Sequence, residues 1–200
     1  MNKYCTIYLI RHGETEWNEK RLIQGHSDIP LNKNGKLQSK QLGEKLKDIY
    51  FEAVFSSDLI RARRTAEIIT IEKKLAVVTT KALRERMFGR FEGKHINELR
   101  KVLGEMMVIS RIKQKKLTLY DIENDEDIVT RLIPFIREVA VAYQGKNVLM
   151  VSHGGLIRAF LDHIGFKMPK YSEKPIKNAG YLIIESDGVE FDIKQEKLFK

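Results

Sequence analysis

A single cysteine, Cys5, is the whole thiol complement of the chain. It excludes an internal disulfide, and with it the bridged framework that holds small secreted domains together. Cys5 lies within an apolar, strand-like run, where a buried and unreactive thiol is expected. Long hydrophobic stretches are also lacking. The N-terminal run Tyr4 to Ile10 is followed at once by Arg11-His12-Gly13-Glu14, with no small-residue cleavage site. Nothing approaches the roughly 20 apolar residues that span a bilayer. A cytoplasmic location with no membrane partner follows as the expectation. Spaced Cys and His ligand sets, helix-turn-helix spacing and aromatic-basic surface motifs are missing as well, so no metal, no other cofactor and no nucleic acid is expected. Repeats, linkers and low-complexity blocks do not occur, and residues 1–200 read as a single domain.

What remains is an ordinary globular composition, 42% hydrophobic and 32% charged. A chain of 200 residues buries roughly 70% of its unfolded surface and needs no cross-link to form a core. The net charge of +9 is spread out: Lys33, Lys36, Lys40, Lys45 and Lys47 follow one helical pattern, and Lys113 to Lys116 form the one dense cluster. Such a field suits a small anionic substrate. The composition leaves the oligomeric state open between monomer and dimer.

Cys5 to Ile10 reads as a strand, nearly continuous in apolar and β-favouring residues, as buried parallel strands are. Pro30-Leu31-Asn32 opens a helix with Asn32 as cap, running to about Asp48 with Leu37, Leu42, Leu46 and Ile49 near one face. Ala53 to Ser57 is a second strand, after which Asp58 is expected to cap a helix bearing Leu59, Ala62, Ala66 and Ile69. Leu75 to Thr79 is a third strand. Short helices are placed near Ile96 to Leu103 and Glu105 to Lys115, and a strong one over Asp125 to Tyr143. Asn147 to Ser152 is the clearest strand and leads through His153-Gly154-Gly155 into a helix ending at Ile164. Tyr181 to Glu185 and Val189 to Ile193 flank the hairpin turn Ser186-Asp187-Gly188. Strands alternating with helices predict an α/β three-layer sandwich, its central sheet mostly parallel and covered by helices on both faces.

Ligands of such sheets gather beyond the carboxyl ends of the strands. Arg11-His12-Gly13, Ser57 to Arg61 and His153-Gly154-Gly155 all fall there. Each could be a solvated loop alone; together they make a site. A neutral imidazole at His12 can attack phosphorus and carry the group covalently, provided its other nitrogen donates to a backbone carbonyl. Gly13 leaves room for close approach. Arg11 and Arg61 offer guanidinium forks that match phosphate oxygens, and Arg61 falls in a first helical turn, where N–H groups favour anions. His153 is expected to donate to the phosphoryl oxygens, held protonated by the bound anion. Glu85, in Leu83-Arg84-Glu85-Arg86, is the candidate acid for the leaving alkoxide. Arg63 and Arg64 could equally be surface ion-pair partners.

These segments resemble the histidine phosphatase superfamily, the phosphoglycerate mutase-like group. The motifs are Arg11-His12-Gly13-Glu14-Thr15 with Trp17-Asn18; Gln24-Gly25 before Pro30-Leu31; Ser56-Ser57-Asp58-Leu59 with Arg61-Ala62 and Thr65-Ala66; Leu83 to Arg86 with Phe88-Gly89 and Glu92-Gly93; and Ser152 to Gly155. The resemblance implies that His12 is the phosphate-accepting nucleophile, that Arg11, Arg61 and His153 form the phosphate pocket, and that Glu85 is the proton donor. It also implies substrate or phosphate contacts from Asn18, Gln24, Gly25 and Gly154, and no metal. Where many relatives have a Gly-Gly-Glu-Ser-like turn, this chain reads Tyr120-Asp121-Ile122-Glu123-Asn124-Asp125-Glu126-Asp127. That acidic loop is expected to border the pocket and to disfavour a second phosphate.

The leading expectation is a phosphomonoester hydrolase acting on small phosphorylated metabolites. A cofactor-dependent phosphoglycerate mutase is the alternative. Mutases resembling this chain carry longer insertions that shield the phosphohistidine, so hydrolysis is favoured. A non-catalytic phospholigand-binding protein is a further alternative, which the presence of His12, Glu85 and His153 argues against.

Overall fold

The computed structural model describes residues 3–103, 121–166 and 176–198. One six-stranded sheet organises them, with strands β1 (Cys5–Arg11), β2 (Ala53–Ser57), β3 (Val77–Thr80), β4 (Asn147–Ser152), β5 (Tyr181–Ser186) and β6 (Phe191–Glu196). Their order across the sheet is β3-β2-β4-β1-β5-β6. The first four are parallel, while β5 runs antiparallel to β1 and β6 antiparallel to β5. This is the mostly parallel α/β sheet that alternating strands and helices predict.

Both faces are covered because the inner strands alternate. Ile7 and Leu9 of β1 and Val148 and Met150 of β4 turn to one side. There they pack on helices α5 (Asp125–Ala142) and α6 (Gly154–His163). Tyr8, Ile10, Leu149 and Val151 turn to the other, against α2 (Lys33–Lys45) and α3 (Ile60–Thr70). Side chains of successive strand residues point to opposite faces, so an apolar run on both sets of positions requires two helical layers. Cys5 is fully buried, and burial pushes its thiol up to about 11.

Several local expectations are met. Asn32 caps α2, its side chain accepting from Gly35 N at 2.8 Å. Helix α4 (Ile96–Leu103) has the expected bounds. Ile128, Leu132, Ile136 and Val139 of α5 are buried, with Phe135 packed against the same cluster. Others are corrected. Helix α2 ends at Lys45, where Leu46 N turns back to Leu42 O, and Leu37 is 52% exposed rather than on the core face. Asp58 caps nothing: Leu59 is the N-cap of α3, and Asp58 instead forms a bidentate pair with Arg84 (2.7 and 2.6 Å). An arginine fork binds a carboxylate more strongly than one backbone N–H does, so it wins the side chain. Strand β3 begins two residues later than expected, and β6 starts at Phe191 rather than Val189 because the turn extends to Glu190, held by the Asp187 carboxylate, which accepts from Val189 N and Glu190 N. The short helix α1 (Glu16–Glu19) was not foreseen; Thr15 and Asn18 close a capping box around it. The helix expected near Glu105 to Lys115 and the Lys113 to Lys116 cluster lie outside the described residues.

Candidate active site

Strand register brings the two histidines together. β1 and β4 are parallel neighbours with Arg11 opposite Ser152, so the next residue of each, His12 and His153, leaves the sheet at the same edge. Their rings lie 5.1 Å apart and both are buried. His12 Nδ1 is 2.6 Å from its neighbour's carbonyl, Gly13 O. A carbonyl can only accept, so Nδ1 carries the proton and Nε2 keeps its lone pair. Gly13 was expected to clear the approach of phosphate, but the side its missing Cβ leaves open faces α2. A Cβ there would meet Gly35 O at 2.5 Å, so the missing side chain admits the start of α2 instead. Gly13 N donates to Thr65 Oγ1 (3.0 Å), tying the histidine loop to α3.

Arg61, in the first turn of α3, is fully buried. Its Nη1 donates to Ser27 O and its Nη2 to Gly25 O, each at 2.7 Å. Arg11 Nη1 donates to Ile176 O. Part of each fork is therefore spent on main-chain carbonyls, which fixes the guanidinium planes. The Nε–H groups of both arginines are buried without a protein acceptor, and five N–H donors per guanidinium leave enough for an oxyanion. Burial lowers each guanidinium to about 10, partly offset by the Glu85 carboxylate, so both stay charged at neutral pH. The first N–H of α3 contributes nothing to an anion, because Ile60 N donates to Asp28 Oδ1 at 2.6 Å. Arg63 and Arg64 pair with Glu67 on the surface.

Glu85 reaches the same edge from the loop after β3. Its Oε1 accepts from Arg86 N (2.8 Å) and Leu156 N (3.1 Å), and its Oε2 from Gly155 N (3.1 Å). The N-terminus of α6 thus holds the candidate acid. Gly155 makes this possible: a Cβ there would lie 2.5 Å from Glu85 Oε1. Gly154, the expected phosphate contact, lies beside Arg11, where a Cβ would stand 3.4 Å from Nε. The substitution Gly155→Ala should leave the fold intact, since the conflict is with a side-chain end. It should lower kcat by about 10- to 100-fold, because displacing a reacting group by an ångström costs on that order. Steady-state kinetics beside a thermal melt would check both halves; unchanged kcat would show that Glu85 needs no fixed position.

A cavity of about 390 Å³ opens over these groups. Asn18, Gln24 and Gly25, all expected from the sequence, line it with Trp17 and Phe88. Asn18 Oδ1 accepts from Thr15 N and from Asn178 Nδ2 (3.1 and 3.2 Å), which leaves its Nδ2 as the group for a substrate oxygen. Gln24 Oε1 is buried without a partner, and Gly25 holds φ +50, which presents its carbonyl to Arg61. Three further arginines, Arg21, Arg100 and Arg158, line the cavity, and Glu85 is its one lining carboxylate among the described residues.

A family model for the histidine phosphatase superfamily (branch 1) matches residues 7–197. The chain belongs to that superfamily. An uncharacterized phosphatase, PhoE, of Bacillus subtilis is 36% identical over 86% of this chain and 84% of its own length. A broad-specificity phosphatase of Saccharomyces cerevisiae is 31% identical over 97% of this chain and 86% of its own length. Among solved structures, a phosphoglycerate mutase from Bacillus anthracis is similar, with a TM-score of 0.83, 26% identity and coverage of 97% and 93% of the two chains.

Within this histidine phosphatase fold the acidic loop behaves differently from expectation. Residues 121–127 supply none of the cavity's described lining. Three of their carboxylates are occupied: Glu123 pairs with Arg131, Asp125 with Arg86, and Asp127 closes a capping box with Asn124 at the start of α5. The loop therefore gives no reason to exclude a second phosphate. Asn178 is the residue that motif reading missed. Its Nδ2 bonds His12 O and Asn18 Oδ1, both at 3.2 Å. It enters because β5 runs antiparallel beside β1, with Tyr181 opposite Ile10, so the chain before β5 meets the chain after β1.

The protein alone does not hold His153 charged. Burial, followed by the guanidinium of Arg61, the ring of His12 and the guanidinium of Arg11, pushes it well below 6.5. Burial, Arg61 and Arg11 do the same to His12. Any protonation of His153 must come from a bound anion. In the unfolded chain each ring takes up a proton as pH falls through 6.5. The folded state refuses it, so stability present above that pH is lost below it, by about 1.4 kcal/mol per pH unit for each ring until the folded protein also titrates. Denaturation of the wild type at pH 7.5, 6.5 and 5.5, values chosen about one unit to either side of an ordinary histidine, should show this loss. The double variant His12→Asn, His153→Asn should flatten it; an unchanged slope would assign the acid sensitivity to other groups.

Proposed function

We propose that the chain hydrolyses small phosphomonoesters in the cytoplasm through a phosphohistidine on His12. The observation that carries this reading is the bond between His12 Nδ1 and Gly13 O, which leaves Nε2 with a lone pair in the field of the Arg61 and Arg11 guanidinium groups. In the first step Nε2 attacks phosphorus and the P–O ester bond breaks. The departing electrons stay on the ester oxygen, which takes a proton from the acid form of Glu85. Oε2 is the oxygen with room for that proton, since it accepts from one backbone N–H and Oε1 from two. In the second step Glu85 removes a proton from water, the oxygen attacks phosphorus, and the P–N bond breaks to release inorganic phosphate and restore neutral His12.

Arg11 and Arg61 neutralise the equatorial oxygens throughout, and His153 adds a donor once the bound anion raises its proton affinity and it takes a proton from solvent. The positive charge that phosphoryl transfer needs is thus supplied by side chains, with no metal in the scheme. Cavity volume favours small esters, and the arginines at its wall favour substrates that carry further negative charge.

Rapid quench with a radiolabelled phosphomonoester is the direct test. Label should appear on the protein, be lost in acid and survive alkali. Acid-stable label, or none during turnover, would remove the mechanism. Incubation with 3-phosphoglycerate and a bisphosphoglycerate primer separates hydrolysis from mutation of the phosphate position: rapid formation of 2-phosphoglycerate without phosphate release would replace the hydrolase reading by a mutase.

A further inference from the structure

We infer that Arg131 and Glu123 are positioning residues that clamp the backbone on both sides of Glu85 and so set the aim of its carboxyl group; the inference rests on the reading of Glu85 as the proton donor. Glu85 sits in irregular chain between two single 3-10 turns, Lys81–Leu83 and Gly89–Phe91. Such a segment has no ladder of its own to hold it. Arg131, in the second turn of α5, supplies the missing order. Its Nη1 donates to Ala82 O (2.8 Å) and its Nη2 to Glu85 O (3.2 Å). The same guanidinium forms a bidentate pair with Glu123 through Nε–Oε1 (2.7 Å) and Nη2–Oε2 (3.0 Å).

Glu123 completes the clamp downstream. Its Oε2 accepts from Met87 N (3.1 Å), its own N donates to Met87 O (3.0 Å), and its carbonyl accepts from Arg86 Nη1 (2.7 Å). The main chain is thereby gripped at residues 82, 85 and 87 by one ion pair. That pair is largely shielded, with side chains 23% and 13% exposed. His26 Nε2 holds the same Glu85 carbonyl at 2.8 Å. Neither Arg131 nor Glu123 lines the cavity, so neither touches substrate. The hydrogen bonds of the pair reach the site through the position of Glu85; the Arg131 charge also acts on His153, pushing it down, so Glu123→Gln, which keeps Arg131, is the variant that isolates the clamp. The acidic loop, on this account, is a brace for the acid rather than a wall of the pocket.

The leaving group separates positioning from general support. An alkyl alcohol leaves only with a proton from Glu85, whereas p-nitrophenolate departs as a stable anion without one. Glu123→Gln keeps size and shape but weakens the pair; Arg131→Gln removes it. Both should lower kcat/KM for glycerol phosphate, which reports the first step alone, by about 10- to 100-fold, the scale set by a misaimed reacting group. For p-nitrophenyl phosphate kcat/KM should fall less than about threefold, while kcat, which includes the shared second step with Glu85 as base, falls for both substrates. Arg131→Lys should not rescue, because one ammonium cannot reach two carbonyls and a carboxylate together. Glu85→Gln serves as reference and should show the same selectivity. If Glu85→Gln is selective in kcat/KM while the Arg131 and Glu123 variants, folded by near-UV circular dichroism, lower kcat/KM for both substrates equally, the clamp is only structural and the inference falls. If Glu85→Gln shows no selectivity in kcat/KM, the acid assignment itself falls.

Discussion

Replacing His12 by asparagine is expected to lower kcat for any phosphomonoester by about 10⁴-fold or more, the scale on which loss of a covalent nucleophile is felt. Asparagine is close to histidine in polarity and can still donate to Gly13 O, so the loop after β1 should keep its course. What disappears is the lone pair of Nε2 and, with it, the phosphoenzyme. Arg11, Arg61 and His153 remain, so the variant should still bind inorganic phosphate or vanadate. It should also be no less stable than the wild type near pH 6, where a buried neutral ring works against folding. The combination is specific: retained fold, retained anion affinity, lost turnover and no radiolabelled protein. A His12→Asn protein that hydrolysed substrate at the wild-type rate would place the chemistry on another group.

The substitution Arg61→Lys should cost about 10³-fold in kcat/KM, because one preorganised charge donor to a transition-state oxyanion is worth 10²–10³ and this one also shapes the pocket. Arg61 bridges Gly25 O and Ser27 O while its Nε stays uncommitted. A single ammonium cannot satisfy two carbonyls and a phosphate at once. One acceptor would be left buried and unpaired, which adds a destabilisation of about 1–3 kcal/mol. The loop bearing Asn18, Gln24 and Gly25 would then be held to α3 by the Ile60 N to Asp28 bond with its arginine anchor weakened. Competition by inorganic phosphate reports the effect directly, and its inhibition constant should rise with the loss in kcat/KM. Full phosphate affinity in a stably folded Lys variant would show that charge alone suffices at this position and that the fork has no special part.

Much of this was legible from residues alone. His12, His153, Arg11 and Arg61 stand at or just beyond strand ends whose apolar runs are unmistakable, and five motifs in one order point to a single family. The buried faces of α3 and α5 follow from helical spacing. Other features were not legible, because they depend on competition between partners distant in sequence. Asp58 reads as a helix cap until Arg84, 26 residues away, offers a better partner. The loop at 121–127 reads as a charged rim until Arg86 and Arg131 claim its carboxylates. Asn178 carries no motif and enters only because an antiparallel strand returns beside β1.

The order of residues thus determined which groups this protein possesses and the strand ends at which they sit, since hydrophobic periodicity and local turns are short-range properties of the chain. Only the tertiary structure decided which N–H groups of the arginines remain for an anion, and what holds Glu85 in place. Those choices are made by hydrogen-bond donors and acceptors from separate segments, each able to satisfy only a few partners. The pairing is settled when the sheet register brings the segments together.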